Sequence, residues 1–168
     1  MIFLGLGTNE GDRIANLQKA LGLLWEQEVR LLRCSSIYQT EPWGITEQDI
    51  FLNIVCEVSW AGSEEKLLET VLSVEQTMGR IRIQKWGPRL IDIDIVDFQR
   101  KIVETPHLSL PHPYYQERDF VLVPLAELEP EWMDEKGTPI QRLIDQLGHT
   151  GIRIFAAPIL STEISTST

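Results

Sequence analysis

The chain has 168 residues, 15 of them Lys or Arg and 25 Asp or Glu, which gives a formal charge of −10. This length suits one compact domain. Because so acidic a surface repels phosphate groups, we expect no nucleic-acid or membrane partner. The first residues contain neither a basic segment nor an apolar stretch long enough for a signal peptide or a membrane span, so we expect a cytoplasmic protein.

The first two elements are predicted to be a strand and a helix. Residues 1–7 form an apolar run that ends in glycine, as is typical of a buried strand. Residues 8–12 form a turn whose Asn and Asp can cap a following helix. In that helix, apolar side chains recur at helical spacing, at Ile14, Leu17, Leu21 and Leu24.

Two strands, a helix and a further strand are predicted next. Apolar and polar residues alternate over 32–38 and again over 52–60, the pattern of half-buried strands. A second amphipathic helix is predicted over 63–78, with Ser63 as its N-cap, and a fourth strand over 91–98. This order is that of a ferredoxin-like α+β fold. We expect an antiparallel sheet with helices packed on one face and active-site loops on the other.

The pattern weakens after residue 98, where prolines interrupt it. Short helices are predicted around residues 123–128 and 140–147. We expect residues 1–160 to form a single domain. The polar residues 161–168 are expected to form a disordered tail.

A basic segment, residues 80–89, stands out in this acidic chain. Guanidinium groups offer paired donors that suit the oxygens of a polyphosphate. Gly87-Pro88 forces a turn toward the next strand, and Trp86 either covers the site or anchors the loop to the surface. The other interpretation of the segment is a solvated charged loop. Its cations are Arg80, Arg82, Lys85 and Arg89.

Two aspartates follow the basic segment. Asp92 and Asp94 alternate with Ile91, Ile93 and Ile95, so both carboxylates project from the face opposite the core, about 7 Å apart. Mg²⁺ takes one or two carboxylates and completes its shell with water and phosphate oxygens. The pair therefore predicts a site for ATP with Mg²⁺, although charged protection of a strand is an alternative.

A third group of residues suits a planar heterocycle. Phe51 and Asn53 share the open face of their strand, and they offer an aromatic ring and an amide. The loop at residues 40–44 lies nearby in the sequence. Further along, His112 is fixed between two prolines, and residues 118–120 add a cation and an aromatic ring. Taken singly, each of these residues is also compatible with a structural role.

The segment KWGPRLIDIDI, residues 85–95, resembles the signature of the 6-hydroxymethyl-7,8-dihydropterin pyrophosphokinases. The resemblance implies a monomeric enzyme of folate synthesis that transfers the diphosphate of ATP to a reduced pterin, with two Mg²⁺ ions as cofactors. It extends over most of the chain, through Gly7–Asn9, Ser35–Tyr38, Phe51–Asn53, Leu110–Pro113 and Arg118–Phe120.

The resemblance also implies roles for individual residues. The metal ligands would be Asp92 and Asp94, which act in catalysis together with Arg80, Arg82, Arg89 and His112. The ATP-binding residues would be Glu75, Arg80, Arg82, Lys85, Trp86, Arg89, Ile95, Ser109, His112 and Arg118. The pterin-binding residues would be Thr40, Pro42, Trp43, Phe51, Asn53 and Phe120.

Two other functions stay open on the residues alone. A metal-dependent nucleotidyl transferase or cyclase would use the same aspartates for attack on the α-phosphorus, and it would release pyrophosphate. A non-catalytic ligand-sensing module of the same fold would bind without turnover. We favour the kinase, because neither alternative accounts for Phe51, Asn53 and His112 together with the segment of arginines and aspartates.

Overall fold

A computed structural model describes residues 1–40, 49–79, 90–148 and 151–165 of the protein. The first seven elements are β1 (Ile2–Thr8), α1 (Arg13–Glu26), β2 (Arg30–Cys34), β3 (Ile37–Thr40), β4 (Phe51–Ser59), α2 (Glu64–Thr77) and β5 (Asp92–Phe98). The later elements are β6 (Val103–Glu104), β7 (Ser109–Leu110), a 3₁₀ helix (Tyr115–Glu117), α3 (Asp119–Leu128), α4 (Ile140–Leu147), β8 (Arg153–Ala156) and α5 (Ser161–Ser165).

The two long helices begin at capping residues that the sequence supplies. The Asp12 side chain accepts a hydrogen bond from the backbone N–H of Ala15 at 3.1 Å. The Ser63 hydroxyl does the same for Lys66 at 3.2 Å, as predicted. Each cap satisfies a backbone donor that the first turn of a helix leaves without an internal partner, which is worth about 1 kcal/mol.

The main sheet is antiparallel, with strand order β5-β1-β4-β3-β8, and β2 pairs with β4 next to β3. Strand β1 therefore lies between β4 and β5, and β5 forms one edge of the sheet. This arrangement confirms the predicted ferredoxin-like α+β fold. It also brings β4, with Phe51 and Asn53, and β5, with the two aspartates, to either side of one strand.

Helices α1 and α2 cover one face of this sheet and form the larger core with it. A smaller core lies on the opposite face, where α3 and α4 pack over Phe3, Val55 and Val96. Burial of each large apolar side chain stabilises the fold by about 1.5–3 kcal/mol. On that second face, Asn53 lies two residues before Val55, near the start of β4. Asp94 lies two residues before Val96, near the start of β5.

The C-terminal residues depart from the prediction of a disordered tail. Residues 161–165 form α5, which contacts α1 and β2. Ile164 is only 2% exposed and joins the larger core together with Ile159. The prediction was wrong for residues 161–165, because Ile164 buries its side chain in the larger core and the helical turn that carries it contacts α1 and β2. Residues 166–168 lie outside the described part of the chain.

The shorter helices follow the sequence pattern closely. Helix α4 has the predicted bounds. Helix α3 begins at Asp119, four residues before the predicted start, and it contains Pro124 within its span. Within the described ranges, no helix has both the length and the apolar content needed to cross a bilayer.

Replacement of Ile164 by alanine should lower the free energy of unfolding by about 2–3 kcal/mol, because a buried aliphatic side chain is lost from the core. The matched control is Leu160→Ala, since Leu160 is 59% exposed. That change should stay within about 0.5 kcal/mol of the parent protein. Urea unfolding measures both values, and equal losses in the two variants would contradict the packing of α5.

Candidate active site

The two aspartates on β5 project away from the larger core, as predicted. Ile93 and Ile95 are buried in that core, whereas Asp92 and Asp94 point from the other face of the strand. The Asp94 side chain is 42% exposed. The strict alternation of β5 thus places two carboxylates side by side at the border between the sheet and solvent.

Asp94 lies next to two cationic or titratable side chains from the segment that follows β7. Arg118 Nη1 donates a hydrogen bond to Asp94 Oδ2 at 3.3 Å. Nε2 of His112 lies 3.8 Å from Asp94 Oδ1, beyond hydrogen-bond range. The backbone N–H of His112 donates to the carbonyl of Val96 at 3.1 Å, which fixes the histidine beside β5. The structure therefore brings together three of the predicted site residues.

Burial lowers the pKa of His112 below its ordinary value. Asp94 opposes this effect by favouring the imidazolium, and Arg118 adds to it by repelling the positive charge. The net shift is downward, so the imidazole is neutral at neutral pH. In that state one ring nitrogen donates a hydrogen bond and the other accepts one.

A cavity of about 640 Å³ lies at the β5 edge of the sheet, between α2 and the β6–β7 hairpin. Its volume lies within the range of small-molecule sites. Helix α2 contributes Leu68, Leu72 and Glu75 to its wall. Four predicted ATP-binding residues line it together with Asp94, namely Glu75, Ile95, Ser109 and His112.

The predicted pterin-binding residues meet where β3 pairs with β4. Thr40 lies opposite Phe51 in the register of these strands. The Asn53 amide, 6% exposed, donates from Nδ2 to the hydroxyl oxygen of Thr40 at 2.8 Å. Phe120 is half-buried at the start of α3, with the Arg118 guanidinium 5.4 Å from the centre of its ring. An aromatic ring and an amide thus share one end of the sheet.

One residue of each group lies in the same row across the sheet. In the strand register, Gly7 on β1 lies opposite Asn53 on β4 and opposite Asp92 on β5. Because neighbouring strands are about 4.8 Å apart, the Cα atoms of Asn53 and Asp92 are about 10 Å apart. A ligand held by Asn53 therefore lies within the reach of a ligand held by the carboxylates.

Two contacts near this end of the sheet were not predicted. Arg13 Nη1 donates to the carbonyl of Ile50 at 2.7 Å, and Asn9 Nδ2 donates to the carbonyl of Asp49 at 3.2 Å. Both tie the start of α1 to the residues just before Phe51. Bonds from a side chain to a distant backbone carbonyl leave no periodic signal, although Asn9 lies within the segment that carried the family resemblance.

Several predicted site residues lie outside the described part of the chain, in residues 41–48 and 80–89. They are Pro42, Trp43, Arg80, Arg82, Lys85, Trp86 and Arg89. Their roles stay predictions.

The carboxylates fit an incomplete magnesium shell. Among the residues that the structure describes, no group of three or more His, Cys, Asp or Glu side chains is arranged to hold a metal ion. Mg²⁺ characteristically binds through one or two carboxylates and takes its other ligands from water and substrate phosphates. Asp94 lines the cavity and Asp92 lies two residues before it on the same face of β5, so their hard oxygen donors provide that partial set.

Comparison with known proteins places this geometry in a family. The model of the 7,8-dihydro-6-hydroxymethylpterin-pyrophosphokinase (HPPK) family matches residues 3–130. The chain belongs to this family. The pyrophosphokinase class predicted from the sequence is confirmed with it.

Individual relatives of the HPPK family match most of the chain. A 2-amino-4-hydroxy-6-hydroxymethyldihydropteridine pyrophosphokinase of Methylorubrum extorquens is 40% identical over 151 residues, which are 89% of this chain and 95% of the relative. The enzyme of the same name from Synechocystis is also 40% identical, over 89% of this chain and 77% of its own length. That of Bacillus subtilis is 42% identical over 75% and 76% of the two chains.

Solved structures of HPPK-DHPS proteins share the fold of most of this chain. Wild-type HPPK-DHPS of Plasmodium falciparum matches with a TM-score of 0.67 at 17% identity, over 86% of this chain and 44% of that chain. The same protein with pteroate gives a TM-score of 0.69. This chain thus spans less than half the length of those solved chains, and the likeness establishes the fold.

Proposed function

We propose that this protein transfers the β,γ-diphosphate of ATP to the 6-hydroxymethyl group of 6-hydroxymethyl-7,8-dihydropterin, which gives AMP and the pterin diphosphate for tetrahydrofolate synthesis. The observation that carries the proposal is the position of Asp94. This carboxylate lines the cavity at the β5 edge. It lies two residues after Asp92 on the same face of β5, and Asp92 lies in the same row across the sheet as Asn53. Two substrate sites therefore meet at one pair of carboxylates.

ATP is assigned to the cavity at the β5 edge. Ile95 and Leu68 offer apolar wall for the nucleoside, while Ser109 and His112 offer polar groups. Arg118 contacts Asp94, which lines the cavity, and we assign its guanidinium to the phosphates. We also assign Arg80, Arg82, Lys85 and Arg89 to the phosphates and Trp86 to the nucleotide, on the family resemblance; these residues lie outside the described part of the chain.

Two Mg²⁺ ions are assigned to Asp92 and Asp94. When bound, they neutralise phosphate charge and polarise the β-phosphoryl group toward attack. The half-exposed Asp94 carboxylate supports this assignment, since a carboxylate at a cavity wall can exchange a protein partner for a cation.

The reduced pterin is assigned to the end of the sheet where β3 meets β4. Phe51 and Phe120 offer rings for stacking on the heterocycle. The Asn53 amide keeps one N–H and its carbonyl oxygen for the edge of the ring, because the other N–H is bonded to Thr40. We assign Pro42 and Trp43 to the same site on the family resemblance; both lie outside the described residues.

The side chains act mainly by positioning the reactants. The hydroxymethyl oxygen of the pterin forms a bond to the β-phosphorus, the bond from that phosphorus to the α,β-bridging oxygen breaks, and AMP leaves with that oxygen. The hydroxyl proton passes to Asp94 or to solvent. Arg118, His112 and the cations of the basic segment stabilise the charge that grows on the phosphoryl oxygens.

Removal of divalent cations should abolish turnover, because two carboxylates would then face the phosphates without a cation between them. We expect EDTA to lower the rate by at least about 100-fold, with recovery on addition of Mg²⁺. The rate of AMP formation measures this. Full activity after exhaustive chelation would contradict the metal assignment.

The products distinguish the proposed function from its alternatives. Purified protein is incubated with ATP, Mg²⁺ and 6-hydroxymethyl-7,8-dihydropterin, and AMP, ADP and pyrophosphate are separated. AMP and pterin diphosphate in equal amounts support the proposal. Pyrophosphate release would indicate a nucleotidyl transferase, and binding without turnover would indicate a sensing module.

We further infer that the enzyme is a cytoplasmic monomer with small-molecule substrates and without a nucleic-acid or membrane partner. The formal charge of −10 supports the absence of such partners, since anionic surfaces repel the protein.

A further inference from the structure

Gly7 lies at the centre of the row that joins the two proposed substrate sites. It belongs to β1 and pairs with Asn53 on one side and Asp92 on the other. A glycine inside a strand loses more backbone entropy on folding than other residues do, and it has no side chain to pack. A glycine in such a position therefore needs a reason.

Conformation does not supply that reason. Gly11, Gly79, Gly137 and Gly148 adopt positive φ, whereas Gly7 is not among these glycines and lies in regular paired backbone. Any residue can adopt the extended backbone of a strand. The requirement at Gly7 is therefore one of space.

The space is occupied by the Asn53 amide. A Cβ atom at Gly7 would lie 2.7 Å from Asn53 Oδ1 and 3.8 Å from its Cγ. The first distance is below 3.0 Å, a separation that real Cβ atoms essentially never show, so the amide or the backbone would have to move. The amide oxygen of Asn53 thus rests on the bare backbone of Gly7.

The other end of the amide is held as well. Asn53 Nδ2 donates to the Thr40 hydroxyl oxygen at 2.8 Å, and both side chains are buried. If the amide moved away from a methyl group at position 7, it would break or distort this bond in a region with little access to water. Gly7 and Thr40 therefore fix the oxygen and the nitrogen of one amide from opposite sides.

We propose that Gly7 is a positioning residue: its missing side chain lets the Asn53 amide lie in the one orientation that presents a donor and an acceptor to the substrate ring. This inference rests on the proposed function for the identity of that ring. It assigns to Gly7 a role in the affinity for the pterin, exerted through Asn53, and not in the binding of ATP.

The kinetic test compares Gly7→Ala with Gly5→Ala. Gly5 lies two residues earlier in β1, on the same face, where an added Cβ would meet only Val96 Cγ2 at 3.4 Å, an ordinary contact. We expect Gly7→Ala to raise the KM for the pterin by about 10–100-fold, with the KM for ATP within about threefold. Gly5→Ala should keep the KM for the pterin within about threefold. An unchanged KM for the pterin in Gly7→Ala would overturn the proposal.

A double-mutant cycle separates positioning from general damage to the fold. If Gly7 acts through Asn53, adding Gly7→Ala to the Asn53→Ala variant should raise the KM for the pterin by less than about threefold. The same factor in both backgrounds would overturn the proposal, because the effect would then not pass through the Asn53 side chain.

The same variants decide the proposal if no pterin substrate is turned over. Gly7→Ala should lower the unfolding temperature by about 3–8 °C when Asn53 is present, since the methyl group overlaps the amide. In the Asn53→Ala background this loss should largely disappear, because the overlapping atom is gone. A lack of turnover with this pattern would reject the proposed function alone, whereas equal losses in both backgrounds would reject the positioning of Asn53 by Gly7.

Discussion

Asp94→Asn is expected to lower kcat by about 10²–10³-fold while the protein stays folded. The substitution keeps the shape of the side chain. It also keeps an oxygen that can accept the hydrogen bond from Arg118 Nη1, which lies 3.3 Å from Asp94 Oδ2 in the parent protein. It removes the negative charge that holds a cation, and with it the stabilisation of charge in the transition state. Initial rates of AMP formation at saturating ATP and pterin measure the effect.

The matched control for this substitution is Asp145→Asn. Asp145 is exposed on α4, where it accepts a hydrogen bond from Gln141 Nε2 at 3.0 Å, and it lies outside the proposed site. The control should retain kcat within about twofold, because exposed polar groups away from a site contribute little. A kcat for Asp94→Asn equal to that of the control would remove Asp94 from the metal site.

Asn53→Ala is expected to raise the KM for the pterin by about 100-fold and to leave the KM for ATP within about threefold. The variant removes both groups that we assign to the ring edge, and it leaves the buried Thr40 hydroxyl without the amide that bonds to it. A site built to hydrogen-bond its ligand loses about 2–3 kcal/mol when such a partner is removed. Steady-state kinetics with each substrate varied in turn separate the two effects.

Glu57→Gln provides the comparison on the same strand. Glu57 lies on the same face of β4 four residues further on, where it forms an ion pair with Arg33. This variant should change neither KM value by more than about twofold. If Asn53→Ala raised both KM values equally, Asn53 would be a structural residue of the sheet and not a pterin ligand.

The sequence predicted most of the fold because its main elements follow simple rules. The alternation of β5 determined which face carries Asp92 and Asp94, since Ile93 and Ile95 have to be buried. Ser63 marked the start of α2 because only a few side chains can cap a helix. These signals are local, so they can be read without knowledge of the tertiary structure.

Other parts of the molecule depend on contacts between distant residues. The ordering of α5 rests on burial of Ile164 against α1 and β2, and a local composition rich in Ser and Thr conceals it. The bond from Arg13 to the carbonyl of Ile50 joins residues 37 positions apart. The space that Gly7 leaves for Asn53 appears only when β1 and β4 are paired in register. Such features follow from the fold and not from local sequence.

The central claim, attack on the β-phosphorus beside Asp92 and Asp94, is tested most directly by following labelled phosphorus. The enzyme is incubated with the pterin, Mg²⁺ and ATP that carries ³²P at either the α or the β position. The proposed mechanism predicts that the β label appears in the pterin product and that the α label stays in AMP. Appearance of the α label in the product would contradict it, because the bond would then have formed at the α-phosphorus.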